Sequence, residues 1–70
     1  MINEVLYMQN RLFRMFCEQT GINAADADKL FNELSIWSYI EDCYDVLHLG
    51  GDQQALDDIL KIVQHNGVAV

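Results

Sequence analysis

The chain contains no proline. No segment is fixed in a polyproline conformation and no helix interior carries a proline kink. Glycine is scarce too. Gly21, Gly50, Gly51 and Gly67 all lie between or after periodic segments, as punctuation in a helical protein with short connections. Two cysteines, Cys17 and Cys43, allow at most one disulfide, which rules out a disulfide-framed scaffold. Both sit among apolar neighbours at helical spacing and read as buried free thiols. Positive charge is the scarcest feature. Four bases stand against eleven acids, a net charge of −7, and Arg11 and Arg14 are the only close basic pair. Nucleic-acid binding needs clustered Lys and Arg to displace counterions, so direct DNA or RNA binding is disfavoured. No apolar run approaches the roughly 20 residues that cross a bilayer. The first residues hold an acid, Glu4, and no base before Arg11, unlike a secretory leader. The expectation is a cytoplasmic protein with no membrane segment and an acidic surface suited to plain solvation or to a basic partner.

What is present is apolar side chains, 51% of the chain, at helical spacing. Seventy residues make a single domain, spanning 1–70. A chain of this size buries only about 60% of its unfolded surface, so a partner chain adds useful stability. The organising stretch is 36–48. Ile36, Trp37, Ile40, Cys43, Tyr44 and Leu47 recur in steps of one, three, three, one and three, one face of an amphipathic helix. Glu41, Asp42 and Asp45 lie on the opposite side.

The remaining segments predict three more helices. In the first, over 2–19, Val5, Met8, Leu12, Met15 and Phe16 share a face. Leu6 and Phe13 widen it beyond what a two-helix seam requires, so a second side is covered by the bundle or by another chain. Glu18 is spaced to meet Arg14, and Gly21 ends the helix. The second starts at Asn23 as N-cap, with Asp26 in its first turn and an Ile22–Ala27 staple, and buries Ala27, Leu30, Phe31 and Leu34. Ser35, or Ser38 with Glu41, caps the third helix, the organising stretch. Its last turn holds His48, and Gly50 and Gly51 end it. The fourth takes Asp52 as N-cap, buries Leu56, Ile59, Leu60 and Val63, and stops at Asn66-Gly67. Residues 68–70 form an apolar tail, either frayed or packed on a neighbour. The fold expected is all-α: a compact bundle of four short helices with short connections.

Chemistry has few candidates. Glu41, Asp45 and His48 are spaced four and three apart, along one face of a continuous helix. Asp45 and His48 carry the acid-to-His step of carboxylate metal bundles, but those sites need a second such pair, and Ile62 stands where His65 would need its acid. Metal binding through Asp45 and His48 is therefore the weakest reading. Neither cysteine has the electropositive surroundings of a nucleophile. Gly50-Gly51-Asp52 lacks the lysine and spacing of a phosphate loop. Tyr7 and Tyr39 fall off the main stripes, and exposed Tyr is enriched at protein interfaces.

The run Tyr39-Ile40, then Tyr44-Asp45-Val46-Leu47-His48, then Gly51 and Leu56-Asp57-Asp58-Ile59, resembles the bacterial family of unknown function DUF3791. The Tyr-Asp-x-Leu-His run is its specific part, and the likeness extends over nearly the whole chain. The chain departs from the pattern at Gln53, Gln54 and Ala55. The resemblance implies a short helical protein with no established activity. Genes of this family often lie beside those of ADP-ribosyltransferase-like proteins, in arrangements like toxin–antitoxin pairs.

The function expected is that of a small acidic helical protein-interaction module, antitoxin-like or accessory to such a neighbour, and not an enzyme. The alternatives are a homodimeric structural or assembly protein and, last, the metal-binding protein. No cofactor is implied. Tyr39, Tyr44, Asp45 and His48 are the candidate interaction or family-motif residues.

Overall fold

Residues 3–70 are described by a computed structural model, and every regular element among them is helical. Helix α1 spans Glu4–Thr20. The Asn3 side chain caps it by accepting from the Leu6 N–H at 3.0 Å, while the expected start at Ile2 lies outside the described residues. Gly21, at φ 76°, closes it by donating its N–H to the Cys17 carbonyl. Helix α2 spans Ala24–Glu33, and its expected cap is in place: the Asn23 side-chain oxygen accepts from the Asp26 N–H at 2.9 Å.

The expectation of four helices is wrong: the described residues form five. The stretch predicted as one rod over 36–48 is α3, Ile36–Asp42, followed by α4, Tyr44–Gly50, and the last helix, α5, spans Asp52–His65. The break is at Cys43, whose φ of −104° and ψ of 13° leave the helical region. Its N–H still donates to the Tyr39 carbonyl, but its own carbonyl accepts from both Val46 and Leu47 and starts a new ladder. Packing supplies the reason. Helix α3 lies against α1 and α2, whereas α4 lies against α5. A straight rod of that length, about 20 Å, would carry Leu47 away from α5.

Three terminus expectations change with it. Ser35 does not cap α3 through its side chain, and neither does Ser38. Ser35 adopts the left-handed conformation, at φ 56° and ψ 35°, and with Leu34 makes the two-residue turn between α2 and α3. Asp52 is not the N-cap of α5 but its first residue. The cap position is Gly51, at φ 84°, and no side chain caps there. The Asp52 carboxylate is engaged instead by Arg11 of α1, whose Nε and one Nη donate at 2.9 and 3.2 Å. Among the described residues the ion pairs are Arg11–Asp52 and Lys29–Glu33, so the Arg14–Glu18 pair does not form.

The core collects one stripe from each element: Met8, Leu12 and Phe16 of α1, Ala27 and Phe31 of α2, Ile36 and Ile40 of α3, Leu47 of α4, and Ala55, Leu56, Ile59 and Val63 of α5. Leu30, Leu34 and Leu60, expected in the core, are half-buried at its edge. Phe31 is the hub. Its ring packs edge-on to Phe13 and Phe16, with centroids 5.2 Å away, and to Trp37 at 4.9 Å. Phe13 also stacks on Trp37. Such aromatic pairs add about 0.5–1.5 kcal/mol each beyond burial. Gln9 fastens α1 to α3 by donating its side-chain amide to the Trp37 carbonyl at 2.9 Å. The radius of gyration, 11.3 Å, is that of a compact domain of this length. Val68 folds back on the core rather than fraying, behind Gly67 at φ 86°. Among the described residues, no helix is long and apolar enough to cross a membrane.

Candidate interaction surface

The break at Cys43 sets the Tyr-Asp-x-Leu-His run apart as a helix of its own, α4, and sorts its side chains by direction. Leu47 enters the core, at 4% exposure. Tyr44 turns toward α1, where its hydroxyl donates to Glu4 Oε2 at 3.0 Å. The His48 ring lies flat on Tyr44, with centroids 4.9 Å apart and planes 12° from parallel. His48 Nδ1 is 2.9 Å from the Tyr44 carbonyl oxygen, an acceptor, so Nδ1 carries the hydrogen of that bond. His48 thus turns back on the preceding turn of its own helix.

The hydrogen bond to Glu4 holds the Tyr44 phenol above its ordinary range, because a donor facing a carboxylate resists losing its proton. Desolvation and the Glu4 charge act in the same sense, and Arg11 opposes them. Tyr39 is also raised, chiefly by burial, then by Asp58 and Cys43. Of the four candidate residues, the fold therefore joins Tyr44 and His48. Tyr39 is half-buried against the core in a different setting, and Asp45 is exposed on the outer side of α4.

That outer side holds what sequence reasoning missed. Val46 and Leu49, three residues apart and so on one face, are 73% and 80% exposed. Asp45 stands one turn before Leu49, and the exposed Glu41 and Asp42 end the preceding helix. The signal was available: both aliphatic residues fall off the core stripe of the stretch that contains them. Glu4 and the Arg11–Asp52 pair were not legible, since their partners lie 40 and 41 residues away.

The metal reading loses its geometry. Glu41 ends up on α3, across the break from Asp45 and His48, and the three no longer share one helix face. Among the described residues, no group of three or more His, Cys, Asp or Glu side chains is gathered around a common point. Both cysteines are free and half-buried. Burial pushes the Cys17 thiol up, away from the thiolate that nucleophilic chemistry needs.

No curated protein and no solved structure matches the chain. A family model described as "Protein of unknown function (DUF3791)" matches residues 11–66. The matched stretch includes all of α2 to α5 and the whole Tyr-Asp-x-Leu-His helix, and covers most of the sequence. On that match the chain belongs to the DUF3791 family.

Proposed function

We propose that the chain is a small acidic protein-interaction module that presents the outer face of α4 to a basic protein partner. The observation that carries this reading is the exposure of Val46 and Leu49 on a helix whose Tyr44, Leu47 and His48 are all committed to the protein itself. A single exposed leucine is ordinary. Two branched aliphatic residues one turn apart, beside Asp45 and near Glu41 and Asp42, make a small apolar centre with an acidic rim. Interfaces are built in that way, with apolar anchors inside and polar groups around them.

The net charge of −7 favours a basic surface and speeds encounter with one. An accessory or neutralising role beside an ADP-ribosyltransferase-like neighbour fits this chemistry: a cleft that takes an anionic dinucleotide is basic, and an acidic module can cover it. The engaged His48 ring and the Cys17 thiol held in its protonated form support binding rather than catalysis.

The test is co-expression with the products of the adjacent genes, followed by affinity capture and titration. A neighbour is expected to co-purify, and Val46→Lys with Leu49→Lys is expected to weaken that complex at least about tenfold while leaving the helical circular dichroism unchanged. Absence of a complex with every neighbour, or a complex indifferent to both substitutions, would sink the reading.

A further inference from the structure

Helix α1 has a second side. Opposite the buried Met8, Leu12 and Phe16, the residues Asn3, Leu6, Tyr7, Asn10 and Arg14 follow one another at helical spacing, with half-buried Phe13 at the edge. Leu6 is 51% and Tyr7 60% exposed. Asn3, Leu6, Tyr7 and Asn10 line a shallow depression of about 320 Å3.

Charge decides what fits there. The two acids of α1, Glu4 and Glu18, balance Arg11 and Arg14, so the whole net charge of −7 resides on α2–α5. Glu4 is turned to Tyr44 and Arg11 to Asp52, and between Asn3 and Arg14 the uncovered side keeps one charge, that of Arg14. A basic partner has nothing to attract it to this side. Two copies of the chain, each strongly acidic elsewhere, meet here without bringing carboxylate against carboxylate.

We infer that this side of α1 is where two copies associate, α1 against α1, antiparallel about a two-fold axis at Asn10. A two-fold contact uses the same patch on both copies. With Asn10 on the axis, Tyr7 of one copy lies under the aliphatic stem of Arg14 of the other, and Leu6 meets Phe13. The two Asn10 amides exchange hydrogen bonds, which fixes the register as a single buried Asn does in helix pairs. The 17-residue helix is about 25 Å long, so the contact falls at the small end of specific interfaces, below about 1,200 Å2 in total. The dimer is accordingly weak, with a dissociation constant on the order of micromolar or above.

Sedimentation velocity of the full chain alone, from low micromolar to millimolar concentration, tests this. A shift from monomer to dimer is expected, and it strengthens as salt is added, because screening relieves the repulsion between two acidic chains. Binding of a basic partner at α4 weakens with salt, so the two surfaces are told apart by opposite signs. Tyr7→Lys, which sets a cation against Arg14 of the other copy, is expected to move the dimerisation midpoint up at least about tenfold, whereas Val46→Lys with Leu49→Lys leaves the dimer in place. Tyr7 is exposed, and circular dichroism checks that its variant is folded. Asn10→Cys is expected to give a covalent dimer under mild oxidation that the unaltered chain does not give. A monomer at every concentration, a dimer insensitive to Tyr7→Lys, or a dimer abolished by the α4 substitutions would overturn the inference.

Discussion

The Arg11 guanidinium holds both carboxylate oxygens of Asp52, at 2.9 and 3.2 Å, and so joins the middle of α1 to the first residue of α5. Asp52 has a second reason to be there. A carboxylate in the first turn of α5 meets the positive end of the helix dipole. Both side chains are partly exposed, so solvent discounts the pair. A double-mutant cycle of Arg11→Ala and Asp52→Ala, read by urea denaturation, is expected to give a coupling below about 1 kcal/mol that shrinks further in high salt. Arg11→Lys is expected to lose most of it, because an ammonium cannot repeat the two-point grip. A coupling of several kcal/mol, or one independent of salt, would contradict this picture.

Phe31 is the most exacting position in the core. It has no exposed surface and three aromatic neighbours drawn from α1 and α3. Phe31→Ala is expected to cost about 3–5 kcal/mol, enough to unfold a domain of this size at room temperature, and Phe31→Leu distinctly less. Far-ultraviolet circular dichroism of the two variants decides it. A folded Phe31→Ala protein with an unchanged melting temperature would show that the hub is elsewhere.

Ser35 is the one residue other than glycine at positive φ among the described residues. A side chain in this conformation costs roughly 1–2 kcal/mol that glycine does not incur. Ser35→Gly is expected to leave the urea midpoint unchanged or raise it. Ser35→Val, β-branched, is expected to lower stability by roughly 1–2 kcal/mol. If the valine variant equals the wild type, the link between α2 and α3 does not need this conformation.

Three groups set an alkaline limit. Tyr44, Tyr39 and Cys17 all hold their protons more tightly in the folded chain: Tyr44 chiefly through its hydrogen bond to Glu4, Tyr39 and Cys17 chiefly through burial. For each, the stabilisation is complete below the unfolded value and is lost as pH rises through the raised folded value. Stability is therefore expected to fall as pH climbs past 9.0 and 10.0, the ordinary thiol and phenol values. Tyr44→Phe is expected to flatten that decline without removing it, since Tyr39 and Cys17 remain. Urea midpoints measured across the alkaline range report the slope, and one identical in the variant and the wild type would remove Tyr44 from the account.

The places where sequence and structure part company share a cause. Asn23 as a cap, Gly21 as a stop and the Asn66-Gly67 terminus depend on groups within a turn of one another, and the structure keeps all three. Cys43 and Asp52 were misread because each answers to something distant. The stripe from Ile36 to Leu47 is continuous in spacing, yet its two halves pack on different helices, and the backbone gives way at Cys43. Asp52 has the local credentials of a cap, and a guanidinium 41 residues away takes its carboxylate. The candidate residues divide in the same way. Tyr44 and His48, one turn apart, meet as their spacing allows, whereas Tyr39 is separated from them by the break.

The order of letters alone determined that this chain is helical, acidic and a member of its family, and where most of its helices begin and end. Those properties follow from periodicity, charge and short-range hydrogen bonds, which act between near neighbours. Only the tertiary structure decided that the organising stretch is two helices, that Glu4 and Arg11 reach α4 and α5, and that Leu6, which widens the apolar face of α1, stays outside. Which apolar side chains are left over depends on how far each rod can lie along its neighbours, and that distance is set by packing in three dimensions.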